Sequence, residues 1–205
     1  MTTSGARFTM IPKLRLDALT DGVFAVAMTL LVIDLRLPEN FHPHDAAELL
    51  RRLTELSSQL LVYVLSFYVL ALRWVGMVRL APRGEEVSEP YAKWALVHLL
   101  LITFVPFTTM AIGRYPTLAP AVWLYAGNTI AFALVALRMV SLSERHPSEA
   151  RRIEDRIGLG MLIVSAVLAV LLSFVTPTWA MLGFLANTLD EPVRWWLRRG
   201  GPRMG

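Results

Sequence analysis

Uncharged apolar stretches recur along the chain at lengths that suit a bilayer. The clearest run from Leu56 to Leu72, Trp94 to Gly113, Tyr115 to Leu137 and Ile157 to Leu189. A hydrocarbon layer about 30 Å thick is crossed by about 20 helical residues at 1.5 Å each. Helix is the state expected there, because lipid offers no hydrogen-bond partners to a bare backbone. The last stretch is too long for one span, and Pro177 divides it. Upstream, Leu16 to Leu37 encloses the apolar block Gly22 to Ile33, flanked by Asp17, Asp21, Asp34 and Arg36. That block rises only about 18 Å, so its charged ends are expected at membrane depth, within protein or water. The pattern predicts a single all-α membrane domain over residues 1–205 with six transmembrane helices, approximately 16–37, 50–76, 91–113, 117–141, 156–175 and 178–197.

One further segment has helical periodicity without the length. From Asp45 to Ser58, Leu49, Leu50, Leu53 and Leu56 oppose Glu48, Arg51, Arg52 and Glu55. It either extends the second helix outward or lies on the membrane surface. Neither Pro nor Gly occurs between Asp45 and Gly76, which favours extension.

Lysine and arginine positions test the topology, since short loops rich in them stay cytoplasmic. With the N-terminus inside, the inner segments hold sixteen of the 20 basic residues. The outer loops hold only Arg36, Arg51, Arg52 and Arg114. Both termini are therefore expected in the cytoplasm, with the protein multi-pass in the cell membrane. Aromatic residues fall where interfaces should be: Tyr91 and Trp94 open the third span, Tyr115 follows it, Trp179 opens the sixth, and Trp195 and Trp196 close it.

Composition agrees and narrows the chemistry. Of 205 residues, 55% are hydrophobic and 18% charged, and six spans leave no room for a soluble catalytic domain. The mean hydropathy is +0.51. The net charge of +4 is explained by topology, so anionic lipid is the expected partner and nucleic acid is not. Cysteine is absent, which excludes disulfides, thiol nucleophiles and thiolate metal sites. The first ten residues carry one arginine and no apolar run, so no cleavable signal is expected before the first span. An intramembrane enzyme needs a nucleophile with its base or a metal cluster. His42, His44, His98 and His146 are scattered, with no carboxylate at ligand spacing within the spans. No metal and no cofactor is expected.

The first helix carries the distinctive pattern. At 100° per residue, Arg15, Ala18, Gly22, Val26, Thr29, Ile33 and Arg36 fall within about 40° of one line. Asp17, Thr20, Asp21 and Asp34 point elsewhere. A face that runs from one basic end to another through small and β-branched residues suits a pore wall, where an aliphatic neck gates ions by dewetting. It also suits packing against a neighbouring helix through small residues.

Arg15 and the string Leu19-Thr20-Asp21-Gly22-Val23-Phe24-Ala25-Val26-Ala27-Met28-Thr29-Leu30-Leu31-Val32-Ile33-Asp34-Leu35 closely resemble the first-helix signature of bacterial relatives of transmembrane protein 175, the endolysosomal potassium channel. Phe104-Val105-Pro106-Phe107-Thr108-Thr109 and Gly113-Arg114-Tyr115-Pro116 are similar to that family's third-helix ending. The family motif is Arg-x-x-x-Phe-Ser-Asp, and this chain departs from it with Leu19 and Thr20 before Asp21. The resemblance implies a homotetrameric potassium-permeable cation channel. The first helices of four subunits would surround the axis, and Val26, Leu30 and Ile33 would form the constriction. Gly22 and Thr29 share that pore face. It further implies that Arg15, Thr20, Asp21 and His98 belong to a structural network. An ionised Asp21 at membrane depth needs a donor, which Thr20, Arg15 or Arg73 can supply, the alternatives being an ion-binding site at Asp21 and a proton sensor at His98.

No residue pattern marks a voltage sensor or a Thr-Val-Gly-Tyr-Gly filter, so discrimination between potassium and sodium would rest on dehydration in the neck. The alternatives are a secondary transporter, hinted at by Pro177 and Pro192 in the sixth span, and a proton-conducting membrane protein. Asn128 and Asn187 are expected to make helix-to-helix hydrogen bonds. Asp34 and Glu39 sit at the expected outer mouth.

Overall fold

The structure is a computed structural model and describes residues 10–38, 40–82, 84–143 and 149–174. A short strand, β1 (Met10–Pro12), leads into α1 (Lys13–Leu30), which tightens into one turn of 3-10 helix at Leu31–Asp34. Next come α2 (Ala46–Glu55), α3 (Ser57–Leu80), a second strand β2 (Glu86–Ser88), α4 (Glu89–Thr103), α5 (Val105–Arg114), α6 (Ala119–Leu142) and α7 (Glu149–Ser173). Among the described residues, five segments are long and apolar enough to cross a membrane: Lys13–Asp34, Ser57–Arg79, Glu89–Arg114, Ala119–Leu142 and Arg156–Ser173. The predicted sixth span, with Pro177, Trp179, Asn187, Pro192, Trp195 and Trp196, lies outside the described residues, as do Glu39 and His146.

The spans run alternately up and down, and three buried clusters mark successive depths. Near the strands, Leu16, Met77, Tyr91 and Met139 meet. At mid-height Phe24, Ala27, Leu70, Leu99, Ile102 and Phe132 interlock. At the far end Val62, Ile112, Val122 and Ala169 close the bundle. Lipid is as apolar as leucine, so close packing and hydrogen bonds rather than water exclusion hold such helices together. The cross-links fit that rule. Asn128 Nδ2 donates to the Leu101 carbonyl at 3.2 Å, joining α6 to α4, and Trp123 Nε1 donates to Ser173 Oγ at 2.9 Å, joining α6 to α7.

Three expectations need correction. The chain is not wholly helical: β1 and β2 pair antiparallel, Met10 opposite Ser88, Ile11 opposite Val87 and Pro12 opposite Glu86. The Lys13 N–H extends the ribbon to the Glu85 carbonyl at 2.8 Å. The predicted third span, 91–113, lies within one membrane-crossing segment, Glu89–Arg114, but that segment is made of two helices rather than one. Pro106 has no N–H for the Ile102 carbonyl, and its ring crowds the preceding turn, so the helix breaks at Phe104. Asn128 takes up the Leu101 carbonyl near that break.

The predicted helical extension of the second span is also only partial. Asp45 caps α2 by accepting the Glu48 N–H at 2.7 Å, while Glu48 accepts from the His44 N–H at 2.9 Å. The helix is interrupted at Leu56 before α3 starts. No residue of α2 is buried, and Leu50 and Leu53 remain 63% and 50% exposed. The remaining boundaries differ by a few residues from those predicted. The predicted fifth span, 156–175, coincides at its start with the apolar segment Arg156–Ser173, and α7 itself begins earlier, at Glu149.

Candidate functional site: the two faces of the first helix and the buried polar corner

Helix α1 divides by face. Leu16, Thr20, Phe24 and Ala27 are buried against α3, α4 and α5, and Leu31 continues that face into the 3-10 turn. The opposite side stands open. Arg15, Ala18, Gly22, Val26, Thr29, Ile33 and Arg36, the positions collected by periodicity, are all exposed in the subunit. Val26 is 56% exposed, Leu30 41% and Ile33 57%. A Cβ added at Gly22 would meet no atom within 4 Å. Packing against another helix among the described residues therefore does not account for this face. The one hydroxyl on it is already satisfied, since Thr29 Oγ1 donates to the Val26 carbonyl at 2.8 Å. What remains is an aliphatic surface of Val26, Leu30 and Ile33 with an arginine beyond each end.

The expected network around Asp21 is arranged differently. Thr20 is buried, but its hydroxyl donates to the Leu16 carbonyl at 2.8 Å, one turn back in its own helix. Arg15 is exposed. Asp21 Oδ1 accepts from Trp74 Nε1 at 2.8 Å, and this bond ties α1 to α3. Arg73, the other donor considered, turns the opposite way. Its Nη2 donates to Thr129 Oγ1 at 3.1 Å, and its guanidinium carbon lies 4.3 Å from the centre of the Phe132 ring.

Arg73 is 8% exposed and its Nε has no partner. Among the described residues it makes no ion pair. The ring of Phe132 and the Thr129 hydroxyl therefore take the place of a carboxylate. His98 belongs to the same layer at 1% exposure, with its ring 4.3 Å from that of Phe132 and 6.5 Å from that of Phe24. Its Nδ1 is without a partner. His98 thus packs as an aromatic, beside the polar corner rather than bonded to Asp21, Thr20 or Arg15.

Two participants escape the sequence reading. Trp74 is adjacent to Arg73 and carries the indole N–H that Asp21 requires. Thr129 lies in a helix read as plain span. The signal for Trp74 was its polar handle within an apolar run, since a tryptophan at membrane depth needs an acceptor.

The far end of α1 opens onto a cavity of about 490 Å³ between the 3-10 turn, the α2–α3 junction and α5. Asp34 lines it, together with Arg36, Arg52, Glu55, Gln59, Tyr63 and Arg114. Among the described residues no group of three metal-ligating side chains occurs.

Comparison with known proteins places this arrangement. Residues 15–106 match the family described as endosomal/lysosomal potassium channel TMEM175. A potassium channel of Chamaesiphon minutus is 30% identical over 186 residues, covering 82% of this chain and 87% of its own length. The crystal structure of a lysosomal potassium-selective channel TMEM175 homolog from the same organism superposes with a TM-score of 0.69 at 29% identity, covering 91% of this chain and 97% of that one. The endosomal/lysosomal proton channel TMEM175 of Danio rerio is 21% identical over 133 residues, 65% of this chain but only 25% of that protein. The family is one of membrane ion channels, not enzymes, and on the strength of the Chamaesiphon relative this chain belongs to the TMEM175 family.

Proposed function

We propose that the chain forms a potassium-permeable cation channel in the cell membrane, as a homotetramer with α1 of each subunit at the axis. The observation that carries this reading is the open face of α1. Gly22, Val26, Thr29, Leu30 and Ile33 are exposed among the described residues, while the opposite face is packed. Four such faces around an axis make an aliphatic neck at Val26, Leu30 and Ile33. Such a neck resists wetting when its side chains approach, and it conducts when they withdraw. The names borne by the Chamaesiphon relatives supply the ion. Six spans with both termini in the cytoplasm complete the proposed subunit. No cofactor is required beyond the permeant monovalent cations, and the bilayer is the remaining partner.

Proton conduction is the second reading, supported by the name of the Danio rerio relative. A flux assay separates the two. Purified protein in liposomes is predicted to pass potassium faster than sodium, with proton movement following only as charge compensation. A proton current that persists in potassium-free solution at the same rate would favour the second reading, and the absence of any cation flux would overturn both.

A further inference from the structure

The cavity at the far end of the bundle, remote from the β-ribbon, lies beyond the Val26, Leu30 and Ile33 neck of the proposed pore, and of its lining only Arg36 belongs to the stripe on the first helix. Its volume of about 490 Å³ lies in the range that holds a small ligand. Three arginines line it, Arg36, Arg52 and Arg114, together with Asp34, Gln59 and Tyr63. Arg52 is committed to Glu55 and stacks 5.7 Å from the Phe41 ring. Arg36 and Arg114 make no ion pair among the described residues, and neither does Asp34. Two arginines and one aspartate without an ion pair among the described residues thus share the lining of a single space. Helix α2, which borders the cavity through Arg52 and Glu55, adds a location. Its exposed Leu50 and Leu53 oppose charged residues, the form of a helix lying in the headgroup layer.

We propose that this cavity binds a phosphodiester, its phosphate held by Arg36 and Arg114 and its polar headgroup turned toward Asp34. Planar guanidiniums match phosphate oxygens two at a time, which an ammonium does not. A carboxylate nearby suits the hydroxyl or ammonium carried by glycerol and ethanolamine headgroups. The same chemistry occurs in a bilayer lipid and in a free glycerophosphodiester, and α2 at headgroup depth favours the lipid.

The test uses the full chain, purified in detergent. Native mass spectrometry would count phosphatidylglycerol or phosphatidylethanolamine retained per subunit, and titration calorimetry would follow sn-glycero-3-phosphoethanolamine as the soluble probe. Removing two charge-assisted contacts in Arg36→Gln/Arg114→Gln is expected to weaken retention at least about tenfold. Arg51→Gln, an arginine of α2 outside the cavity lining, should leave it unchanged. Arg114→Lys keeps the charge but loses the fork and should fall between. Loss in the lipid arm identifies a lipid site, and loss in the calorimetric arm alone identifies a free phosphate ester; either supports the cavity. Equal binding by wild type and the double variant, or equal loss in Arg51→Gln, overturns it. If the double variant does not fold, the two single variants and Arg114→Lys carry the same comparison.

Discussion

At the scale of single residues, the polar groups at membrane depth are arranged by who can donate to whom. Asp21 was legible as a carboxylate in need of a donor, because an ionised group in that position is costly alone. Its donor was not legible. Trp74 sits on another helix, and periodicity along one helix says nothing about the register between two. The Asp21–Trp74 bond makes a defined prediction: Asp21→Ala and Trp74→Phe should each lower the stability of the detergent-purified protein by about 1–3 kcal/mol, and the double variant by less than their sum. Thermal unfolding of the four proteins in a mutant cycle measures this, and strict additivity would mean that the bond contributes nothing. Tetramer is expected to be lost in the single variants while the potassium-to-sodium permeability ratio of surviving channels stays put. Arg73 gives a second prediction. Thr129→Val removes a hydroxyl that accepts from its guanidinium and should destabilise by about 1–3 kcal/mol. Arg73→Met removes the buried charge itself and should cost less than Thr129→Val, as buried ions replaced by apolar groups of similar size often do. A larger loss in Arg73→Met than in Thr129→Val would show that the cation is held by more than Thr129 and Phe132.

At the scale of elements, α1 was the most readable part of the chain and the connections the least. Its seven-residue stripe could be drawn from sequence because helical geometry is fixed at 100° per residue, and the exposure of every stripe position in the subunit follows the same period. The ribbon of β1 and β2 was invisible, since three-residue strands have too few positions to show alternation and Pro12 reads as a break. The break at Phe104 had its cause in plain sight at Pro106, but a proline in an apolar run divides a helix or merely bends it, and packing decides which. The two faces of α1 predict opposite consequences for substitution. Phe24→Ala, at 1% exposure in the mid-height cluster, should cost about 3 kcal/mol in folding stability. Ile33→Ser and Leu30→Asn should cost far less and instead raise cation conductance by wetting the neck. Thermal melting and liposome flux on the same three proteins check this, and a conductance gain in Phe24→Ala alone would assign the faces the wrong way round.

At the scale of the whole molecule, the membrane character and the up-and-down order of spans were legible because a bilayer imposes one length on every crossing. The assembly was not legible, because nothing in a single chain's periodicity distinguishes a face turned to lipid, to a neighbour or to an axis. The proposed channel depends on that last distinction. A cysteine scan of α1 in full-length protein reconstituted in liposomes tests it most directly, helped by the absence of native cysteine. Reaction with a charged aqueous thiol reagent, and the loss of potassium flux that follows, should occur at 22, 26, 29 and 33 and spare 24, 28 and 31. Uniform labelling, or labelling of the second set with the first left untouched, would contradict a pore lined by the first helix.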